Sequence, residues 1–143
     1  LSPTQITDRA ENPQSCVILL TDGQHQILLT GDADVATERS FAEKLGKINV
    51  LQVGHHGSKT STGEFLLAQT KPDIALISSG RWNAWNFPHP IVIERLNRYQ
   101  SAVENTAISG HIRLNFTEKG IEIEKARGDF SPWFARVIGL SPK

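Results

Sequence analysis

The stretch that decides the fold joins an apolar run to a pair of histidines between glycines: Ile48-Asn49-Val50-Leu51-Gln52-Val53-Gly54-His55-His56-Gly57-Ser58-Lys59. Its first half is rich in valine, isoleucine and leucine and predicts a strand from Ile48 to Val53. Its second half is atypical of a protein core, because glycine lets the backbone approach a ligand or adopt a positive φ. Functional groups of layered α/β folds collect where buried strands pass into loops. The stretch therefore predicts a functional site at the end of a strand.

Strands and helices alternate on both sides of this stretch. Two apolar runs, 16–20 and 27–29, surround an Asp-Gly turn signal and predict a hairpin whose strands are buried on both faces. Helices are predicted at 34–45, from about 64 to 70 behind a capping box at Ser61-Thr62-Gly63-Glu64, and from Pro90 onward, with a strand at 74–77. The runs 111–116 and 121–125 alternate apolar and polar residues and predict a solvent-facing hairpin. The pattern indicates the α/β class, with a mixed sheet, flanking helices and a C-terminal β-hairpin.

Composition narrows the classes of function. The chain has 143 residues, enough for one domain, with 38% hydrophobic and 21% charged residues and a formal net charge of zero. A long-range cationic field is therefore not the main means of capturing nucleic acid or an anionic membrane, and a phosphate substrate would need a local site. The single cysteine, Cys16, excludes an intrachain disulfide and a Cys-x-x-Cys metal site, and its apolar neighbours predict that it is buried. No apolar run reaches the roughly 18–20 residues that span a bilayer. Since the chain begins at Leu1 and contains no methionine, we expect it to be a piece of a longer protein.

The first candidate site residue is Asp32, which follows a buried strand and a glycine in Leu29-Thr30-Gly31-Asp32. Its carboxylate can ligate or bridge metal ions. The alternative is a structural role, in which Asp32 or Asp34 caps the helix that follows.

His55 and His56 are candidate catalytic residues and metal ligands, because imidazole is a common metal ligand and a competent acid or base. Neighbouring side chains point to opposite sides at the end of a strand. One histidine is therefore expected to bind metal, while the other orients it or stabilises charge in the transition state. Ser58 and Lys59 are further candidate catalytic and substrate-binding residues, because both can hold a phosphate oxygen.

A third cluster follows the strand at 74–77. Arg81 is a candidate substrate-binding residue that can clamp a phosphate, with a solvated surface arginine as the alternative. His89 lies between two prolines at a helix start. It is either a helix residue without chemistry or, together with Asp32 and the histidine pair, a metal ligand. His25 and His111 are interpreted as non-functional.

In their order along the chain, these motifs resemble those of the C-terminal metallo-β-lactamase-like domain of ComEC, the membrane channel for DNA uptake in bacterial competence. The resemblance covers residues 11 to 112 approximately and depends on several motifs: Glu11-Asn12-Pro13-Gln14-Ser15, Leu29-Thr30-Gly31-Asp32, Leu51-Gln52-Val53-Gly54-His55-His56-Gly57-Ser58-Lys59-Thr60-Ser61, Ile77-Ser78-Ser79-Gly80, Pro88-His89-Pro90 and Arg95-Leu96. The Gly-His-His-Gly-Ser run is shared with related hydrolases, including phosphorylcholine esterases. It therefore indicates the superfamily more firmly than the substrate.

The resemblance implies an αββα sandwich and a site for two divalent ions, zinc or manganese, that activate water for hydrolysis of DNA. Asp32 resembles the metal-bridging aspartate, and His55, His56 and His89 resemble the histidines of the second half of the site. The resemblance also implies DNA as a partner, and a parent protein in the cytoplasmic membrane that carries this domain on its external or periplasmic face.

One motif of the superfamily, His-x-His-x-Asp-His, does not occur in the 143 residues. We therefore expect residues 1–126 to form the C-terminal half of a metallo-β-lactamase-like domain, followed by an apolar tail at 127–143. Alone, this half is expected to bind metal weakly or not at all and to be inactive. Half a sandwich also exposes an apolar sheet face, so we expect the chain to self-associate.

Three functions remain open from the sequence. The chain is part of a metal-dependent phosphodiesterase acting on DNA, part of a hydrolase of the same superfamily acting on a small phosphodiester or phosphoester, or a non-catalytic domain that binds DNA or supports the channel. An intact Asp-His motif in the preceding sequence would argue for catalysis. Cleavage of plasmid DNA, compared with cleavage of a small ester, separates the two enzymes.

Overall fold

The computed structural model describes residues 1–3 and 14–127. Within them, five strands form one mixed sheet in the order β1-β2-β3-β4-β5. Their bounds are β1 Ile18–Thr21, β2 Gln26–Leu29, β3 Val50–Gln52, β4 Ile74–Ile77 and β5 Ala102–Asn105. β1 is antiparallel to β2, and β2 to β5 are parallel to one another. The predicted α/β class and mixed sheet are confirmed. β5 was not predicted, because Ala-Val-Glu-Asn contains one strongly strand-favouring residue.

The helices of this region are α1 Val35–Ala42, α2 Glu64–Thr70, α3 Pro90–Arg98 and the single turn α4 Thr106–Ser109. Side chains alternate between the two faces of a sheet, so Leu28, Leu51 and Ala75, which are paired in register, lie on one face. This row is fully buried in a cluster with the apolar residues of the first three helices: Phe41, Ala42, Leu66, Leu67, Val92 and Leu96. α1, α2 and α3 therefore cover one face of the sheet. Among the described residues, no helix has the length and apolar character needed to cross a membrane.

The opposite face of the sheet meets a two-stranded hairpin, β6 Ile112–Thr117 and β7 Gly120–Lys125, as the alternating pattern predicted. Lys125 Nζ lies 2.6 Å from Glu104 Oε1 on β5. The ring of Phe116 packs edge-on against His25, with 5.3 Å between centroids. The hairpin thus lies on the side of the sheet away from the helices.

The prediction that the first hairpin is buried on both faces was wrong for β1. Ile18 and Leu20 are 41% and 47% exposed. The reason is that β1 is the outermost strand of the sheet, and its outward face is only partly covered. Cys16, predicted to be buried, is exposed as well.

The predicted capping box before α2 was also wrong. Ser61 Oγ turns away from the helix and donates to the carbonyl oxygens of Gly54 and Ser58, at 2.7 and 3.0 Å. The hydrogen-bond acceptor for the backbone N–H groups at the start of α2 is a side chain of α1. Both carboxylate oxygens of Glu38 accept hydrogen bonds there, from the N–H groups of Thr62 at 2.5 Å and Gly63 at 2.7 Å.

Glu38 is buried between the helices, with 1% of its surface exposed. Burial raises the pKa of its carboxyl group to about 7, against the two backbone hydrogen bonds, which favour the charged form. The nearby charge of Asp34 adds to the increase. Near neutral pH, α1 is therefore joined to α2 through a group that is close to its titration midpoint.

Gly57 lies where the chain before α3 crosses the loop after β3. A side chain at this position would place its Cβ 2.5 Å from the Cβ of Pro88, and the backbone φ is +85°. The crossing is closed by a 2.8 Å hydrogen bond from the backbone N–H of His89 to the carbonyl of Gly57. Glycine is required here by both the conformation and the close approach.

We expect the stability of the wild type to fall, relative to that of Glu38→Gln, as the pH rises from 5 to 8. The folded-state pKa of about 7 lies above the ordinary value of 4.5, so folding favours the protonated form. That stabilisation is complete below about pH 4.5 and is lost as the pH rises through 7. The whole shift corresponds to roughly 3 kcal/mol at most. Denaturant titrations across this pH range measure it. Glu43→Gln, an exposed change at the C-cap of the same helix, should follow the wild type. Parallel curves for Glu38→Gln and wild type would contradict the assignment.

Gly57→Ala is expected to lower the free energy of unfolding by roughly 2–4 kcal/mol, because strain at positive φ and overpacking against Pro88 add together. Gly23→Ala is the matched control. Gly23 has a φ of +94° with no neighbouring atom within 4 Å, so it reports the conformational strain alone, roughly 1–2 kcal/mol. Equal losses in the two variants would show that the contact with Pro88 contributes nothing.

Candidate functional site

The parallel pairing of β2, β3 and β4 brings the loops after these strands to one edge of the sheet. Asp32 follows the end of β2, and the residues 54–57 form a 3₁₀ turn, here called the histidine turn, just after β3. Ser78 follows β4 directly. The predicted placement of candidate residues at strand ends is therefore observed.

Gln52, the last residue of β3, ties the first two loops together. Its side-chain oxygen accepts hydrogen bonds from the N–H groups of Thr30 and Gly31, both at 3.1 Å. The backbone N–H of His55 in turn donates to the carbonyl of Gly31 at 2.9 Å. The loop that carries Asp32 and the turn that carries the histidines are thus fixed relative to each other. Sequence reasoning passed over Gln52, although a glutamine among the apolar residues of a predicted strand was a visible signal.

The histidine turn has a left-handed backbone. The φ angles are +47° at His55, +56° at His56 and +85° at Gly57. The expectation that the two side chains alternate as on a strand was therefore wrong, because neither residue lies in a strand. A non-glycine residue in this conformation costs roughly 1–2 kcal/mol, and such strain is concentrated at functional sites.

Hydrogen bonds from the next loop hold the strained turn in place. Thr62 Oγ1 accepts from the N–H of Gly54 at 3.1 Å, and Ser61 Oγ donates to the Gly54 carbonyl at 2.7 Å. Arg95 of α3 donates to the carbonyl oxygens of Ser61 and Thr62, at 3.3 and 3.4 Å. Since Glu38 binds the backbone of Thr62, the helical layer supports the turn through this loop.

Sequence reasoning missed Glu38. The available signal was an acidic residue on the apolar face of a predicted helix, three residues before Phe41 and four before Ala42.

The ring of His56 has a defined tautomer. Its Nδ1 lies 2.7 Å from the carbonyl oxygen of Ser78, which can only accept a hydrogen bond, so Nδ1 carries the proton. In the neutral ring Nε2 is then unprotonated, on a residue that is exposed to solvent. This is the arrangement in which a histidine binds a metal ion or takes a proton.

His89 has the opposite arrangement. It is the N-cap of α3, and its Nδ1 accepts a hydrogen bond from the N–H of Ile91 at 3.2 Å. In the neutral ring the proton is therefore on Nε2. With this cap in place, His89 is suited to donating a hydrogen bond from Nε2 and less suited to binding metal.

Asp32 was also a candidate for capping the helix that follows it, and the structure shows that it does not cap α1. Asp34, and not Asp32, is the N-cap, and its Oδ1 accepts from the N–H of Thr37 at 2.8 Å. This hydrogen bond holds the pKa of Asp34 below its ordinary value. The backbone of Asp32 is held by Ser15 Oγ at 3.1 Å, which leaves its carboxylate without the capping task.

Two of the predicted substrate-binding residues, Ser58 and Lys59, directly follow the histidine turn, and the third, Arg81, lies in the loop after β4. Ser58 is buried, with its Oγ 3.0 Å from Thr60 Oγ1, and Lys59 beside it is exposed. The guanidinium of Arg81 lies over the ring of Trp82, 5.8 Å from the centroid. His55 is half-buried and packs edge-on against Phe87, with 6.0 Å between centroids.

A metal ion in a protein is usually held by three or more donor side chains. Across residues 1–3 and 14–127, no three His, Cys, Asp or Glu side chains lie close enough together to hold a metal ion. Asp32 and His56 offer suitable donor atoms at one edge of the sheet, but these residues do not make a two-metal site by themselves. A complete site would need ligands beyond those that the structure describes.

The sequence of the chain is similar to those of known proteins, over a range that includes the residues of this site. The family model of the metallo-β-lactamase superfamily matches residues 9–81. The chain is 64% identical to Recombination protein 2 of Haemophilus influenzae over 99% of its length, which is 18% of that protein. It is 35% identical to ComE operon protein 3 of Bacillus subtilis, over 83% of the chain and 16% of that protein. Competence protein ComA of Neisseria gonorrhoeae is 32% identical over 89% of the chain and 19% of that protein.

The chain thus spans less than a fifth of the length of each of these relatives. Their names confirm the predicted relationship to competence proteins. The family model covers just over half of the 143 residues and includes both Asp32 and the histidine turn. This chain belongs to the metallo-β-lactamase superfamily.

Proposed function

We propose that the chain supplies one part of the active site of a metal-dependent hydrolase that cleaves phosphodiester bonds in DNA. The observation that carries the proposal is the histidine turn, where a strained backbone and the Ser78 carbonyl present Nε2 of His56 at the same sheet edge as Asp32. Strain maintained by a dense hydrogen-bond network is typical of a site under functional constraint. DNA is favoured as the substrate because the relatives carry names from recombination and competence.

In this proposal Asp32 and His56 are metal ligands, and residues outside the described part of the chain complete a centre for two divalent ions, zinc or manganese. When bound, the ions would supply a water molecule activated for attack on phosphorus. The roles of His55 and His89 follow from their surroundings. His89, whose Nδ1 accepts from Ile91, would donate a hydrogen bond from Nε2 to the substrate, and His55, which packs on Phe87, would line the site beside the ligands.

Three residues would hold the phosphate. Lys59 and Arg81 supply positive charge, and Ser58 supplies a hydroxyl group next to the histidine turn. Because the net charge of the chain is zero, these local groups must provide the electrostatic attraction that a strongly basic surface would otherwise give. Guanidinium groups are well suited to this role, because they bind phosphate oxygens in a bidentate manner.

The proposed organisation is a C-terminal half-domain at 1–126 and a tail at 127–143, most of which lies outside the described residues. In the longer protein the domain would be attached to a membrane-embedded part and lie on the external or periplasmic face of the cytoplasmic membrane, where DNA enters. The relationship to competence proteins supports this arrangement.

Asp32→Ala, made in the longer protein that contains the complete domain, is expected to lower manganese-dependent DNA cleavage at least about 100-fold, because a carboxylate that would hold the metal is lost. Cleavage of plasmid DNA measures this. Ser40→Ala is the control, since Ser40 is exposed on α1 and its hydroxyl donates to the Thr37 carbonyl in its own helix. Full activity of Asp32→Ala would overturn the ligand assignment. The 143-residue chain alone is expected to show no appreciable cleavage.

The same assay separates the other two functions. Cleavage of bis-p-nitrophenyl phosphate without cleavage of plasmid would favour a hydrolase for small phosphoesters. Absence of cleavage of both substrates, with metal bound, would favour a non-catalytic domain.

Self-association of the isolated chain is part of the same proposal. Ile18 and Leu20 project from β1 on the face opposite the helices and remain 41% and 47% exposed, beside the β6–β7 hairpin. A second copy would cover this apolar strip, at a gain of roughly 25 cal/mol for each Å² buried.

We therefore expect a dimer or larger species by light scattering at micromolar concentration, and a monomer for Leu20→Lys. Ile108→Lys is the matched control, because Ile108 is 51% exposed but lies on α4, away from β1. A monomeric wild type would contradict the proposal.

A further inference from the structure

The loop between β4 and α3, residues 80–87 and here called the aromatic loop, exposes two tryptophans. Trp82 is 87% exposed and Trp85 is 74% exposed. Tryptophan is highly buried on average, because each indole can remove a large apolar area from water. Two exposed indoles within four residues therefore mark a surface that binds something.

The aromatic loop has a defined conformation. The side chain of Asn83 spans it from within: Nδ2 donates to the carbonyl oxygens of Gly80 and Phe87, both at 2.8 Å, and Oδ1 accepts from the N–H of Phe87 at 2.7 Å. The N–H of Asn86 also donates to the Asn83 carbonyl. The indoles are thus displayed on a preformed backbone, which reduces the entropy lost when a ligand binds.

An aromatic row connects this loop to the histidine turn. Trp85 stacks on Phe87, with 6.4 Å between centroids and 18° between the ring planes. Phe87 in turn meets the ring of His55 at 6.0 Å. A ligand seated on Trp85 would therefore extend toward the residues proposed to act on phosphate.

Positive charge accompanies the rings. The Arg81 guanidinium lies over one face of Trp82, within the range of a cation–π contact, while the large exposed area of that indole leaves room for a ligand. Lys59 is exposed two residues after Gly57, the glycine against which Pro88 packs. Aromatic faces interleaved with cations are what unpaired nucleotides require, because bases stack on the rings and phosphates pair with the cations.

We propose that the aromatic loop is a stacking subsite for the unpaired bases of a single nucleic-acid strand, with Trp82 and Trp85 as the base platforms. The subsite rests on the proposed function, since it names the form in which DNA reaches the site. In a duplex the base faces are already stacked on one another and cannot reach the indoles, so the subsite selects single strands. An apolar protein surface would use the indoles but not the neighbouring cations. An anionic membrane would use both, but it has no need of a row of rings that leads to the site.

The test is binding of fluorescein-labelled oligothymidylate to the 143-residue chain, at low salt and with EDTA, so that no hydrolysis is needed. Trp82→Ala/Trp85→Ala should weaken binding at least about tenfold. Trp82→Phe/Trp85→Phe should retain most of the affinity, because a ring remains. Ile108→Ala, which removes an exposed apolar side chain outside the loop, should bind as the wild type does. An abasic oligomer of equal length and charge should bind equally to the wild type and to the double alanine variant.

Several outcomes would overturn the subsite: no binding of oligothymidylate up to millimolar concentration, equal loss for the abasic oligomer, or tighter binding of a duplex. Binding to phosphatidylglycerol vesicles that depends on the tryptophans, without dependence of oligothymidylate binding on them, would assign the loop to a membrane instead. The proposed hydrolase is tested separately by Asp32→Ala in the longer protein. A tryptophan-dependent affinity without any cleavage would reject the hydrolase and keep the subsite, and the reverse result would reject the subsite alone.

Discussion

The carboxylate of Glu38 lies inside the helical layer, where it accepts hydrogen bonds from the backbone of Thr62 and Gly63. An unpaired carboxylate at this depth would be strongly destabilising, and the two N–H groups at the start of α2 offset part of that cost. Because Thr62 also accepts the N–H of Gly54, the same carboxylate supports the beginning of the histidine turn. The burial of one acidic residue thus couples the packing of α1 on α2 to the geometry of the site.

The histidine turn shows how backbone partners assign different chemistry to similar side chains. His56 donates a hydrogen bond from Nδ1 to the Ser78 carbonyl and keeps Nε2 available as a base or ligand. His89 uses Nδ1 to cap α3 and keeps its proton on Nε2. Both residues lie at the same edge of the sheet. The two backbone segments that carry them are held together by the close approach of Gly57 to Pro88 and by the hydrogen bond from the His89 N–H to the Gly57 carbonyl. An unprotonated nitrogen and a donor N–H are thus built into neighbouring parts of one edge.

The two faces of the sheet are covered to different extents, and this difference explains the exposed apolar surface. The helical side is closed by a fully buried cluster around Leu51. On the other side the β6–β7 hairpin reaches His25 and Glu104 but leaves Ile18 and Leu20 exposed on the edge strand. An edge strand with apolar side chains is suited to pairing with further structure. The exposed apolar strip of Ile18 and Leu20 is therefore a different surface from the aromatic loop, whose exposed rings lie beside the proposed site.

By itself, the sequence determined the class of the fold and the edge at which the site lies. Continuous apolar runs alternating with helical periodicity are local patterns, and parallel pairing then brings Asp32, the histidine turn and Ser78 together whatever the remaining details are. The motif order also determined the superfamily. The tertiary structure alone decided which atoms of these residues are available. The left-handed turn, the tautomers of His56 and His89, the capping role of Asp34 and the buried carboxylate of Glu38 all depend on partners 2 to 34 residues away. Hydrogen bonds between distant segments leave no periodic trace in a sequence, so the site could be located from the chain but its chemistry could be assigned only from the packed fold.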